Sequence, residues 1–286
     1  MILDGKNLAD KLLFDLKNKI TLLSKNPTLI IIIVGYNPES EIYVNIKKRK
    51  AVYVGITCNI INLNHSITQS ELLTILNTYN NNINIDGIIV QLPLPTHLNT
   101  NIILENVCYT KDVDGFNPYS TGCLITNNIN FISATPYAVL HLIDSYNINT
   151  KGKHIVIIGK STIVGSPLAL LLSNENTYAG TITLCDKYTE NLHSFVNSAD
   201  ILIVATGIHH LINNSYTIKK DSVIIDVGIH KIEDNTKKNG YKIQGDVDFD
   251  YFENKCTYIT PVPGGVGPLT VYSLLDNTYK SKLKKL

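Results

Sequence analysis

The chain has 286 residues, is 44% hydrophobic, and carries 25 Lys and Arg against 24 Asp and Glu, for a formal net charge of +1. That length suits one large domain or two of ordinary size, and we interpret it as two. The balanced charge provides no broad field for binding nucleic acid or an anionic membrane, and no apolar run reaches the roughly 18 residues of a membrane span. We therefore expect a small-molecule ligand.

Cysteine usage and the first residues bear on the compartment. The five cysteines are scattered singly, with no metal-ligand spacing to histidine, which favours a reduced cytoplasm and predicts no metal site. The N-terminus lacks the charged start and apolar run of a signal peptide.

The first block of the chain alternates between helical and extended patterns. The run LIIIIVG is apolar throughout, which is typical of a strand covered on both faces in a parallel sheet. Asn37 before Pro38 indicates a helix start, and Gly55 indicates its end. The predicted elements are helix 7–24, strand 29–35, helix 38–54, strand 57–63, helix 69–80 and strand 86–91.

A second alternation follows a loop-like stretch at about 115–135, which we take as the domain boundary. Strand–helix alternation in both blocks predicts an α/β fold with parallel sheets. The second set of predicted elements is helix 136–146, strand 154–159, a helix from about 164, strands near 181–185, 201–205 and 222–227, and a last helix.

A glycine turn joins the strand HIVIIG to the next helix. Gly159 ends the strand, Lys160 and Ser161 follow, and Gly165 lies six residues after the first glycine. Backbone N–H groups in such a turn, together with a helix N-terminus, favour a pyrophosphate, so the turn predicts a dinucleotide site. The spacing departs from G-x-G-x-x-G, and the alternative is a turn that needs glycine only to be tight.

The residues after the later strands leave the dinucleotide open. Asp186 is placed to bind ribose hydroxyls and favours NAD, whereas Lys187 and Lys160 could neutralise a 2′-phosphate and favour NADP. Gly207 and Gly228 each follow a strand, where the backbone could approach a cofactor or simply turn.

The helix predicted over 38–54 places Tyr43 and Lys47 on one face, because residues four apart lie above one another. The basic residues 48–50 point elsewhere and are expected to be solvated. Taken alone, Lys47 has the same simple interpretation.

Two other segments change that interpretation. Gln91 ends a predicted strand at the edge where parallel sheets bind ligands, and Asp112 and Asp114 lie in the polar loop KDVDG. Each also has a plain structural role, as a strand end or a turn. Together with Tyr43 and Lys47 they supply an aromatic ring, an amine, an amide and a carboxylate from neighbouring elements. The Pro- and Gly-rich YITPVPGGVGPLT is either a close-approach loop or a rigid connector.

Five segments, in this order and spacing, carry a resemblance to a known family. VGYNPESEIYVNIK, DGIIVQLPLP, KDVDGFNP, IVIIGKSTIVGSP and ITPVPGGVGPLT resemble the bifunctional methylenetetrahydrofolate dehydrogenase/methenyltetrahydrofolate cyclohydrolase family, known as FolD in bacteria. The resemblance runs essentially end to end.

The resemblance implies an N-terminal α/β catalytic domain and a Rossmann-like NAD(P)-binding domain with a cleft between them. It assigns 1–116 plus 266–286 to the folate-binding catalytic domain and 117–265 to the NAD(P)-binding domain. The family oxidises 5,10-methylenetetrahydrofolate to 5,10-methenyltetrahydrofolate with NADP, sometimes NAD, and hydrolyses the product to 10-formyltetrahydrofolate. It also implies a cytoplasmic homodimer that serves one-carbon metabolism and purine synthesis.

Roles carry over by motif position. Lys47 resembles the catalytic lysine, Tyr43 the ring that orients the folate, Gln91 the amide that holds the lysine, and Asp114 the carboxylate that binds the pterin. The remaining residues implied for the folate pocket and the dinucleotide site are Pro263, Gly264, Gly265 and Val266, and Gly159, Lys160, Ser161, Gly165, Lys187, Gly228 and Ile229.

The chain departs from the family pattern in three places. Ala134 and Ala138 replace a cysteine and a glycine around a Thr-Pro turn. Lys160 replaces an arginine, which keeps the charge but loses the planar fork. Cys185-Asp186-Lys187 replaces a Cys-His-Ser pattern after the second cofactor strand, which bears on cofactor preference.

Two other functions stay open at this point. One is an NAD(P)-dependent dehydrogenase with feeble cyclohydrolase activity, which would accumulate the methenyl compound. The other is a catalytically idle nucleotide-binding or dimeric interaction protein, which the presence of Tyr43, Lys47, Gln91 and Asp114 disfavours.

Overall fold

The computed structural model describes residues 1–237 and 240–285, and for residues 38–40 it describes the backbone alone. The chain divides into two compact units, each built on its own parallel sheet. The first-sheet unit comprises 10–134 with 271–286, and the second-sheet unit comprises 1–9 with 135–270.

The first sheet has three parallel strands in the order β2-β1-β3. Side chains of the central strand alternate between two buried clusters, with Leu29 and Ile31 in one and Ile30 and Ile32 in the other. Helices therefore cover both faces, as the all-apolar strand predicted. The elements up to residue 125 are α1 (Gly5–Thr21), β1 (Thr28–Val34), α2 (Pro38–Val54), β2 (Thr57–Leu63), α3 (Gln69–Asn81), β3 (Gly87–Val90), α4 (Thr100–Glu105) and α5 (Pro118–Ile125).

The remaining elements are α6 (Ala134–Ser145), β4 (His154–Ile158), α7 (Gly165–Ser173), β5 (Thr181–Cys185), α8 (Leu192–Ser198), β6 (Ile201–Val204), β7 (Val223–Asp226), β8 (His230–Glu233), β9 (Tyr241–Gln244), α9 (Phe249–Phe252), β10 (Tyr258–Ile259) and α10 (Val266–Leu283). The second sheet has five parallel strands in the order β10-β7-β6-β4-β5, and β8 pairs with β9 as an antiparallel hairpin. The chain leaves β5 at one edge and returns as β6 on the other side of β4. This reversal makes the carboxyl ends of β4 and β6 a topological switch point, where open α/β sheets bind ligands.

The α/β fold class with two domains and parallel sheets is confirmed, and the predicted strands and helices lie within a few residues of the observed ones. The stretch from 115 to 135 is not simply a loop, because it contains α5. The Asn117 side chain accepts from the Tyr119 N–H at the start of this helix, and Pro118 occupies its first turn.

The predicted domain ranges differ from the compact units at residues 1–9 and 266–270, which group with the second sheet, and at residues 117–134. This stretch belongs to the first-sheet unit, because the Asn117 amide donates to the carbonyls of Glu105 and Val107, and the Asn277 amide donates to the carbonyl of Ile132. The functional assignment of the two ranges stays a prediction.

Candidate functional site

Helix α2 presents Tyr43 and Lys47 on one face. Val44 and Ala51, on the side of the helix next to this face, are buried in the core, whereas Tyr43 is 46% exposed. Lys48 is exposed, as expected for a solvated basic face. The local pattern therefore separates Lys47 from the charges that follow it.

Lys47 of α2 meets Gln91, the residue that follows β3. Its Nζ donates to Gln91 Oε1 at 3.0 Å, and both side chains are partly buried. The other end of the same amide is fixed, since Gln91 Nε2 donates to the carbonyl of Leu92 at 2.8 Å. A neutral amide held at both ends can orient the amine without pairing it with a negative charge.

Asp114 lies near the same amine. Burial raises the pKa of the Asp114 carboxyl, and the positive charge of Lys47 opposes that shift. The other aspartate of the KDVDG loop has a different environment. Asp112 is 3% exposed and accepts from the N–H of Asn117 at 2.7 Å, so it organises the loop backbone. The structure thus brings together the amine of Lys47, the amide of Gln91 and the carboxyl of Asp114.

The glycine turn after β4 brings backbone segments unusually close together. Gly159 has a φ of +114°, and a Cβ at this position would overlap the carbonyl of Ala205 after β6. A Cβ on Gly165 would overlap the carbonyl of Gly159. Both glycines are therefore required for the tight strand-to-helix packing at the switch point. The arrangement also presents the first turn of α7, and with it a helix dipole, to a ligand at this edge.

Lys160 and Asp186, which sequence reasoning treated as opposing signals, are paired. Lys160 Nζ lies 3.2 Å from Asp186 Oδ2, with side chains 45% and 28% exposed. A backbone hydrogen bond from Tyr188, and secondly the bond from Lys160, lower the pKa of the Asp186 carboxyl. Lys187 points elsewhere, with its Nζ 4.9 Å from the centre of the Tyr188 ring.

Two further loops lie at the carboxyl edge of the second sheet. Gly207 follows β6 with a φ of +68° and open space around it. Gly228 and Ile229 follow β7, where Gly228 is buried and the Ile229 side chain is 48% exposed. These loops are tied to Asp246, a buried residue that sequence reasoning missed. The signal for it was GDVD, in which a strand end is followed by an aspartate between small and apolar residues.

The loop from Pro263 to Val266 belongs to the second-sheet unit. Lys6 N–H donates to the carbonyl of Gly264 at 2.8 Å, and Gly265 N–H donates to that of Pro261 at 2.8 Å. The loop backbone is thus fixed within its own unit. Its predicted part in a folate pocket stays a prediction.

The described part of the chain holds neither a cluster of metal ligands nor a membrane-spanning helix. Over residues 1–237 and 240–285, no three His, Cys, Asp or Glu side chains form a group suited to a metal ion. Among the helices of those ranges, none has the length and apolar character to cross a membrane.

Two family models match the chain. The model described as tetrahydrofolate dehydrogenase/cyclohydrolase, catalytic domain, matches residues 3–114. The model for the NAD(P)-binding domain of the same family matches residues 133–286.

Known proteins match over the whole chain. Bifunctional protein FolD of Wolinella succinogenes is 45% identical, with 98% of this chain and 96% of that protein covered. The crystal structure of the bifunctional FolD dehydrogenase/cyclohydrolase of Campylobacter jejuni is 42% identical with a TM-score of 0.93, covering 100% of this chain and 99% of that one. The Trypanosoma brucei enzyme, complexed with NADP cofactor and an inhibitor, is 32% identical with a TM-score of 0.93, covering 100% and 98%.

Proposed function

The chain belongs to the tetrahydrofolate dehydrogenase/cyclohydrolase family, and we propose that it carries out both reactions of that family. It oxidises 5,10-methylenetetrahydrofolate to 5,10-methenyltetrahydrofolate with NADP as the hydride acceptor. It then adds water to the methenyl carbon to give 10-formyltetrahydrofolate and a proton. The observation that carries this proposal is the bond from Lys47 Nζ to Gln91 Oε1 at 3.0 Å, in a chain that matches both family models.

The cyclohydrolase step is assigned to the cluster of Lys47, Gln91 and Asp114 in the first-sheet unit. Water that attacks the methenyl carbon must lose a proton, and the ring nitrogen that leaves this carbon must be able to accept one. The Lys47 amine is the group in this cluster suited to move those protons, and Gln91 fixes its direction. Tyr43 offers a partly exposed ring on the same helix face for the folate to lie against. Asp114 would hold the polar edge of the pterin.

The second-sheet unit fits a dinucleotide. The approach of Gly159 to Ala205 and of Gly165 to Gly159 leaves bare backbone at the switch point, with Lys160 and Ser161 beside it. Gly165, Lys187, Gly228 and Ile229 complete the residues that we assign to cofactor binding. NADP, when bound, supplies the acceptor for the hydride. The protein supplies position and electrostatics for this step.

The proposal also covers the division of roles along the chain, the assembly and the compartment. We assign folate binding and catalysis to 1–116 plus 266–286, with Pro263, Gly264, Gly265 and Val266 lining the folate pocket, and NAD(P) binding to 117–265. We also propose a cytoplasmic homodimer that acts in one-carbon metabolism and purine synthesis. Five free cysteines in the described chain support a reducing compartment.

A coupled assay tests both activities. The full chain is given 5,10-methylenetetrahydrofolate with NADP or NAD, and reduced cofactor, the methenyl compound and 10-formyltetrahydrofolate are followed together. We expect faster turnover with NADP and formation of 10-formyltetrahydrofolate without build-up of the methenyl compound. Accumulation of the methenyl compound would indicate a dehydrogenase with feeble cyclohydrolase activity. Binding of NADP without either reaction would contradict the enzymatic proposal.

A further inference from the structure

Asp246 is a buried carboxylate that is not among the residues assigned above. It contacts the two loops that follow β6 and β7 at the carboxyl edge of the second sheet. Its side chain is 0% exposed. Asp246 Oδ2 accepts from Thr206 N–H at 2.6 Å, from the Thr206 hydroxyl at 2.8 Å and from Gly207 N–H at 3.0 Å. One oxygen thus receives three donors from the loop that follows β6.

The other oxygen of Asp246 serves the loop that follows β7. His230 Nε2 lies 2.7 Å from Asp246 Oδ1, and His230 directly follows Ile229. A Cβ on Gly228 would overlap Asp246 Oδ1, so the carboxylate also packs directly against that loop. A single side chain therefore spans both loops.

A second buried aspartate fixes Asp246 in place. Asp226 is 3% exposed and accepts from Asp246 N–H at 3.0 Å, Val247 N–H at 2.9 Å and Gly228 N–H at 2.9 Å. Burial raises the pKa of the Asp226 carboxyl to about 7, against these three hydrogen bonds. The two aspartates make one polar network, and its donors are backbone groups at the carboxyl edge.

We infer that Asp246 is a positioning residue that holds the loops bearing Thr206–Gly207 and Gly228–His230 in the form that binds the dinucleotide. The inference rests on the proposed function, since it needs NADP to bind at this edge. Its basis is that two N–H groups, a hydroxyl and an imidazole converge on one buried carboxylate, and their hydrogen bonds depend on its negative charge. A neutral amide has one acceptor oxygen, so Asn cannot accept all four bonds.

The test compares Asp246→Asn with the wild-type full chain. NADP affinity is measured by titration calorimetry, and cyclohydrolase turnover is measured without dinucleotide. Amide hydrogen exchange of residues 206–207 and 228–230 is followed in the ligand-free proteins. We expect the Kd for NADP to rise about tenfold, the loop amides to exchange faster, and cyclohydrolase turnover to stay within about twofold of wild type. A merely structural role would instead lower cyclohydrolase turnover together with NADP affinity.

Two further variants make the test decisive. Asp250→Asn removes a charge from an exposed position four residues later and should match wild type in every measurement. Thr206→Val keeps the shape but removes one donor to Asp246, and it should shift NADP affinity in the same direction by a smaller factor if Asp246→Asn does not fold. A wild-type chain that fails to bind NADP would overturn the proposed function and this inference with it. Suppose instead that the wild-type chain binds NADP. If a folded Asp246→Asn or Thr206→Val variant then shows the same NADP affinity and the same loop exchange as wild type, this inference alone is overturned.

Discussion

The two units are both parallel α/β sheets, but they present chemistry at their edges in different ways. In the first-sheet unit the proposed functional groups are side chains, with Lys47 and Gln91 joined by a hydrogen bond of 3.0 Å. In the second-sheet unit they are mainly backbone groups at glycine turns, where a Cβ on Gly159 or Gly165 would overlap neighbouring backbone. Proton chemistry requires a titratable side chain, whereas a pyrophosphate is bound well by N–H groups and a helix dipole. Under the proposed assignments, the same architecture thus serves two chemistries through different parts of the polypeptide.

The comparison predicts that one side chain decides the activity of the first unit. Lys47→Met keeps much of the length of the side chain but removes the amine. We expect hydrolysis of methenyltetrahydrofolate to fall by about 10²–10⁴-fold, because a positioned acid–base group contributes that much. NADP binding should not change, since the residues proposed to bind the cofactor lie in the other unit. Single-turnover hydrolysis and calorimetry with NADP measure the two quantities.

Lys48→Met is the matched control for this variant. Lys48 is the next residue on the same helix and is exposed. Its loss should leave hydrolysis unchanged. Undiminished hydrolysis by Lys47→Met would mean that another group moves the protons.

The second-sheet unit should instead be sensitive to a single methyl group added at a close-packed glycine. Gly165→Ala adds a methyl group where the carbonyl of Gly159 already lies. We expect the free energy of unfolding of the second-sheet unit to fall by about 1–3 kcal/mol, because overpacking a well-packed core costs that much. We also expect NADP binding to weaken. Denaturant unfolding and NADP titration measure both effects.

Gly122→Ala in α5 controls for the loss of a glycine as such. A Cβ at Gly122 would meet nothing within 4 Å, so this change should be neutral or slightly stabilising. If Gly165→Ala were as stable as Gly122→Ala, the close packing of the turn would not matter for this unit.

The sequence predicts local periodicity well and long-range pairing poorly, and the two sites show why. The face shared by Tyr43 and Lys47 follows from helix geometry, and the sheet edge that carries Gln91 follows from strand–helix alternation. No local pattern could show that Lys160 pairs with Asp186, or that Asp246 joins residues 206 and 230. Those contacts depend on how separate loops meet at a sheet edge. An aspartate within an otherwise apolar strand, as in VIID, was the available hint of a buried polar network.

Each unit also holds a buried aspartate whose pKa burial raises, which allows a direct comparison. Burial raises the pKa of Asp112 in the first unit, and that of Asp226 in the second, from 3.8 to about 7. Between these values the folded state holds a proton that the unfolded state has released. The unfolding free energy should therefore fall as pH rises from about 4 to about 7, by at most about 1.4 kcal/mol per pH unit for each group.

Asp112→Asn and Asp226→Asn test this pH dependence one unit at a time. Each should flatten the slope for its own unit, because Asn does not titrate. Urea unfolding at several pH values, read by hydrogen exchange in each unit, gives the slopes separately. A slope that is unchanged in Asp112→Asn would show that Asp112 is ionised in the folded protein at acid pH.

The smallest expected effect concerns cofactor choice in the second unit. Asp186→Asn removes the negative charge that pairs with Lys160, so the lysine becomes available to a 2′-phosphate. The pair is partly exposed, and such pairs contribute below about 1 kcal/mol, so we expect NADP affinity to improve only about two- to fivefold while NAD affinity stays level or falls. The ratio of the two dissociation constants, measured by calorimetry, reports the change. Lys187→Ala is measured alongside it, because Lys187 is also assigned to cofactor binding but lies beside Tyr188 and outside the ion pair. If Asp186→Asn lowered NADP affinity, the carboxylate would be positioning Lys160 for the phosphate rather than competing with it.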